Sequence, residues 1–136
     1  MNWVNYTDEQ RKASSDLKET NDCTVYAWSN VFDASYENSH FWLRKYAQRL
    51  NRKGLLPDKI KAAFTACRKA KTKVGPYTRK NRITVSSFIK AHPVGRYYVW
   101  NVNHAFVIKD GIVYDWKLGL RREITGAVRV YLEGEI

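Results

Sequence analysis

Cysteine is scarce in this chain, which holds two, Cys23 and Cys67, and no Cys-x-x-Cys pair. A disulfide framework and the usual ligand spacing of structural zinc are therefore excluded. Long apolar runs are missing too, and no stretch approaches the roughly 20 residues needed to span a bilayer. The N-terminus, Met1-Asn-Trp-Val-Asn-Tyr-Thr-Asp-Glu-Gln, lacks the basic start and apolar run of a signal peptide. These absences predict a soluble protein of the cytoplasm. Internal repeats and low-complexity linkers are also missing, and no tract is depleted of large apolar residues. That argues against extensive disorder.

What is present suits one domain. The 136 residues are 44% hydrophobic and include five Trp, nine Tyr and five Phe. A chain of this size and texture can bury a core without metal or disulfide staples. We therefore read residues 1–136 as a single domain. Its charge is uneven. Between Arg52 and Arg82 lie Arg52, Lys53, Lys59, Lys61, Arg68, Lys69, Lys71, Lys73, Arg79, Lys80 and Arg82, against one acid, Asp58. This span carries +10 of the net +11. It reads as a basic helical insertion that attracts an anionic partner, either nucleic acid or an acidic protein surface. The plainer alternative is a solvated helix face that keeps the protein soluble.

Asn21-Asp22 precedes an apolar run and predicts a helix from Cys23 to about Phe32. Ser35 is placed to cap a second helix reaching about Asn51, stopped by Gly54. A third is expected from Pro57 through Lys59 to about Lys71, ended by Val74-Gly-Pro76. Thr84 caps a short fourth helix over Val85 to Lys90, broken before Pro93. Strand-like segments follow: Arg96–Trp100, His104–Lys109, Ile112–Trp116 and about Ala127–Leu132. The layout is α+β, with N-terminal helices packed on a C-terminal antiparallel sheet.

Asp110-Gly111 is a strong two-residue hairpin signal, and it sets the register of its strands. Lys109 faces Ile112, Val107 faces Tyr114 and Phe106 faces Asp115. Side chains alternate, so His104, Phe106 and Asp115 share one sheet face. His104 is then the diagonal neighbour of Asp115, within hydrogen-bonding reach. A carboxylate on one imidazole nitrogen fixes the tautomer and raises the basicity of the other. That nitrogen can take a proton from a thiol. Cys23 stands at a predicted helix start, where a thiolate is favoured and the backbone amide can face an oxyanion. Cys23, His104 and Asp115 are therefore the candidate nucleophile, base and orienting acid.

Each of these residues also has a plain structural reading. A strand histidine is more often a half-buried packing residue, and an Asp after a hairpin often bonds only nearby backbone. Cys67 fits buried packing. His40 lies in the aromatic second helix as a core or partner-packing residue, and His92 precedes Pro93 in a turn, where exposure to solvent is expected. No metal-ligand spacing joins the histidines and cysteines, so neither metal nor organic cofactor is expected.

Asn21-Asp22-Cys23 opening an apolar helix, His104 on its strand and Val113-Tyr114-Asp115-Trp116 after a tight turn resemble the papain-like cysteine peptidase superfamily. Within it, the likeness is to small peptidases related to the bacteriocin-processing domains of ABC exporters. The segment from Gly95 to Asp115 also resembles small proteins of phages and mobile elements. The likeness covers roughly half the chain and leaves out the basic middle. It implies a Cys-His-Asp thiol hydrolase of a peptide or isopeptide bond, acting on a protein or peptide in the cytoplasm, or the host cytoplasm if phage-encoded. Relatives with the same triad perform acyl transfer instead. The family places a Gln six residues before the Cys to complete the oxyanion hole, and here that residue is Leu17. Asn21 is the candidate replacement donor. An alternative is an inactive scaffold that binds nucleic acid or a host protein.

Overall fold

The computed structural model describes residues 3–19, 22–49, 60, 62–66, 73–77, 83–101, 104–119 and 121–132. Its elements run β1 (Trp3–Val4), α1 (Asp8–Asp16), α2 (Cys23–Phe32), α3 (Tyr36–Tyr46), β2 (Lys73–Tyr77), β3 (Ile83–Thr84) and α4 (Val85–Ala91). They continue with β4 (Arg96–Trp100), β5 (Ala105–Lys109), β6 (Ile112–Tyr114), β7 (Glu123–Ile124) and β8 (Gly126–Tyr131). Residues 60 and 62–66 are also helical. The protein is α+β, and none of the described helices is long and apolar enough to cross a membrane.

Local chemistry accounts for most helix boundaries. Thr7 and Gln10 form a reciprocal capping box, each side chain meeting the other's backbone N–H at 3.0 and 2.9 Å. This box starts α1, a helix the apolar pattern did not indicate, because its sequence is polar almost throughout. Ser35 and Thr84 accept the N3 amides of α3 and α4, as expected. Asp22 is the N-cap of α2 but makes no capping bond with its side chain. Its carboxylate instead accepts from Ser14 Oγ at 2.6 Å and from the Tyr36 hydroxyl at 2.5 Å. Those bonds tie the start of α2 to α1 and α3.

The main sheet has six strands in the order β1-β6-β5-β4-β8-β2. Its β5–β6 register is the expected one, with Val107 opposite Tyr114 and Lys109 opposite Ile112. The sheet is mixed rather than wholly antiparallel, because β1 runs parallel to β6 at one edge. It is also covered on both sides. Tyr98, Trp100, Ala105 and Val107 pack with α2, α3 and Phe64. Tyr97, Val99, Phe106 and Ile108 pack with Val85 and Phe88 of α4. The fourth helix thus lies across the sheet from the first three, which explains why β4 is buried at every position. Each large side chain so buried contributes about 1.5–3 kcal/mol.

Two further expectations change. α3 ends at Tyr46, not near Asn51, and Gln48 just beyond has φ 54°. Val74-Gly-Pro76 is not a helix-ending turn but part of β2, which pairs with β8 at the outer edge. The register shifts between Val74 and Tyr77, around the proline, which has no amide hydrogen to give a ladder. The span 52–82 is therefore not a purely helical insertion, since one of its strands belongs to the main sheet. The side chains of Arg52, Lys53, Lys59, Lys61, Arg68, Lys69, Lys71, Lys73, Arg79, Lys80 and Arg82, like Cys67 and Asn21, lie outside the described residues.

Candidate active site

Three chain segments converge at one end of β5. Where β4 gives way to β5, the Asn101 amide donates to the His104 carbonyl at 2.9 Å. His104 therefore sits one residue before β5 rather than within it. Asp115 follows β6 directly, and β1 holds its backbone there. The Asp115 amide donates to the Val4 carbonyl at 3.1 Å, and Trp3 Nε1 donates to the Asp115 carbonyl at 2.8 Å. Cys23 is the first residue of α2 and is half-buried.

The imidazole joins the other two side chains. His104 Nε2 lies 2.8 Å from Asp115 Oδ2, and the ring also hydrogen-bonds Cys23. With Nε2 engaged by the carboxylate, Nδ1 is the nitrogen left for the thiol. The Cys23 N–H is one of the amides for which a helix start has no intrahelical acceptor.

Asp115 is fully buried and accepts four hydrogen bonds. Besides His104, its donors are the Tyr6 hydroxyl at 2.9 Å, the Trp116 amide at 2.8 Å and Arg122 Nη2 at 2.7 Å. Tyr6 stacks flat on Tyr26 of α2, with ring centroids 3.9 Å apart. Arg122 lies over the Phe106 ring at 4.4 Å. The turn that brings Arg122 inward needs Gly119, where φ is 56° and a Cβ would stand 2.3 Å from Arg122 Nε.

These contacts set the charges. Burial works against ionised Asp115, but His104, Arg122 and the Trp116 amide outweigh it and hold the carboxyl below its usual range. Burial likewise works against a charged His104, yet its bonds to Asp115 and Cys23 raise it from 6.5 to about 9. Burial, with Asp115 alongside, keeps the Tyr6 phenol protonated and so a donor.

The raised histidine has a consequence for stability. Its contribution is complete below about pH 6.5, where the unfolded chain also binds the proton, and disappears as pH rises through about 9. Thermal unfolding followed from neutral pH to about pH 10 should show a falling Tm in the wild type. His104→Gln should flatten that fall. Parallel curves for the two proteins would contradict the assignment.

Cys23, His104 and Asp115 are thus brought together. Asn21 is outside the described residues, and Leu17 is an exposed C-cap of α1 whose side chain has no donor. His40 is buried in an unrelated cluster, 2.6 Å from Glu19, whose other oxygen takes Arg49 at 2.9 Å. His92 packs against Phe88 and Tyr97. Tyr6 and Arg122 escaped the sequence reading. Nothing in local pattern marks them: Tyr6 comes to Asp115 through the pairing of β1 with β6, which joins opposite ends of the chain, and Arg122 through the turn at Gly119. Among the described residues, no group of three or more His, Cys, Asp or Glu gathers as a metal site.

The fold and this cluster define an α+β protein in which a helix-tip thiol, an imidazole and a buried carboxylate are linked in sequence. Comparison of the chain with protein-family models, with curated proteins and with solved structures gives no match.

Proposed function

We propose that this protein is a papain-like cysteine hydrolase of a peptide or isopeptide bond. The observation that supports the reading is the chain of contacts from Cys23 through His104 to Asp115, with the thiol at the start of α2. In this reaction the Cys23 thiolate attacks the carbonyl carbon, forming the C–S bond and an oxyanion beside the Cys23 amide. His104 gives its Nδ1 proton to the leaving amine as the C–N bond breaks, leaving a thioester. Water, deprotonated by His104, then attacks the thioester and releases the acid and the sulfur. Asp115 holds the ring in the tautomer that both steps require. The same acyl-enzyme would pass to an amine in place of water if the enzyme is a transferase.

Alkylation tests the pairing without knowledge of the substrate. Brief treatment with iodoacetamide at neutral pH, followed by peptide mass spectrometry, should modify Cys23 well ahead of Cys67. His104→Ala should slow modification of Cys23 by about tenfold or more, because the sulfur loses the imidazole that takes its proton. Equal labelling of the two cysteines, or no effect of His104→Ala, would remove the basis of the proposal.

One observation favours a second reading. Leu17 stands where the family carries an oxyanion donor, and losing such a donor costs about 3–4 kcal/mol of transition-state stabilisation. An inactive scaffold that binds nucleic acid or a host protein would show the reactive Cys23 yet no turnover.

A further inference from the structure

A second surface stands apart from the thiol. The outward stripe of α3 consists of Phe41, Arg44, Lys45 and Gln48, all exposed, while Leu43, Ala47 and Arg49 turn inward. Phe41 is 64% exposed, more than Trp116 at 55%, the other exposed aromatic ring among the described residues. A single exposed aromatic is ordinary. This one has a cation beside it: Lys45 Nζ lies 6.0 Å from its ring centre and 5.3 Å from that of Tyr46. His40, Phe41, Arg44 and Lys45 border an open depression of about 500 Å³.

The wider charge pattern says what would approach. Residues 38–82 hold fourteen lysines and arginines against one acid, Asp58, a net of +13, so the rest of the chain sums to −2. Arg44 and Lys45 of the α3 stripe belong to that cationic span of the sequence. Arg49, just beyond the helix, is paired with Glu19, while Arg44 and Lys45 are the exposed cations of α3. Glu37 lies one turn toward the N-terminus, so a polyanion would favour the C-terminal half of the helix.

We propose that this face of α3 binds single-stranded nucleic acid, with a base stacked on Phe41 and flanking phosphates neutralised by Arg44 and Lys45. An acidic protein would satisfy the cations but has no general use for an exposed aromatic ring beside them. Every nucleobase offers a face to such a ring, and the pairing of stacking platform with cations is the usual way single strands are held. The proposal does not depend on the thiol chemistry.

Fluorescence anisotropy with a labelled oligothymidylate of about 16 nucleotides tests it on the full chain. Wild type should bind with an affinity that falls steeply with salt. Phe41→Ala should weaken binding by about 5- to 100-fold, and Phe41→Trp should restore it. The double change Arg44→Gln with Lys45→Gln should reduce the slope of log affinity against log salt by about 1.4, two single-strand contacts. Cys23→Ala should bind as wild type. Equal affinity of wild type and Phe41→Ala would overturn the assignment to α3. Displacement by polyglutamate with no dependence on Phe41 would identify an acidic protein as the partner instead and also overturn it.

Discussion

Replacing Cys23 by alanine should abolish hydrolysis, lowering kcat/KM by at least about 10⁴-fold, while the protein stays folded. The size of the loss follows from the chemistry: without the sulfur there is no covalent intermediate, and no other nucleophile is linked to His104 among the described contacts. The fold should survive because Cys23 is half-buried at a helix start, where alanine is tolerated. The cap residue Asp22 keeps its bonds from Ser14 and Tyr36. Circular dichroism and the urea midpoint should therefore be close to wild type. Peptide turnover persisting in Cys23→Ala would place the activity elsewhere in the molecule, or show that none belongs to this site.

Asp115→Asn should be the more damaging change for the protein as a whole. The carboxylate receives four donors and balances the charges of His104 and Arg122 from a fully buried position. An amide has one acceptor oxygen, and its NH₂ would face donors that also need partners. Arg122 would remain beside it as a buried charge without a counterion. Breaking a buried ion pair in this way costs about 3–5 kcal/mol, so the urea midpoint should fall markedly. The imidazolium would lose its main support, and the alkaline fall in activity should move from about 9 toward neutral. Turnover at neutral pH should drop by about 10²-fold or more, as expected when the ring is no longer held in the required tautomer. A variant with wild-type stability and an unmoved pH profile would show that Asp115 neither supports the fold nor orients the ring.

Both predictions rest on groups of different visibility in the amino-acid sequence. Cys23, His104 and Asp115 were legible because each is governed by near neighbours. A polar pair before an apolar run starts a helix, and a two-residue turn sets which residues of two strands lie together. The same locality made Ser35 and Thr84 readable as caps. The capping box at Thr7 and Gln10 is an equally local signal, but α1 is polar almost throughout and carries no apolar stripe to mark it as a helix.

Non-local features were not legible. Tyr6 is about a hundred positions from the carboxylate it bonds, and Arg122 reaches it through a turn that depends on the left-handed backbone of Gly119. The second face of the sheet offers a partial lesson. Arg96-Tyr-Tyr-Val-Trp100 is apolar at consecutive positions, a pattern of strands buried on both sides, yet which helix covers which side is not written in that segment.

The linear chain by itself determined the helix start that presents the thiol, the hairpin register that aligns imidazole with carboxylate, and the concentration of positive charge after α3. Only the folded molecule decided that these groups meet, that Tyr6 and Arg122 close around Asp115, and that Phe41 faces outward. The reason is physical: turn and cap chemistry act over a few bonds, whereas burial and charge pairing across the sheet depend on where distant segments come to rest.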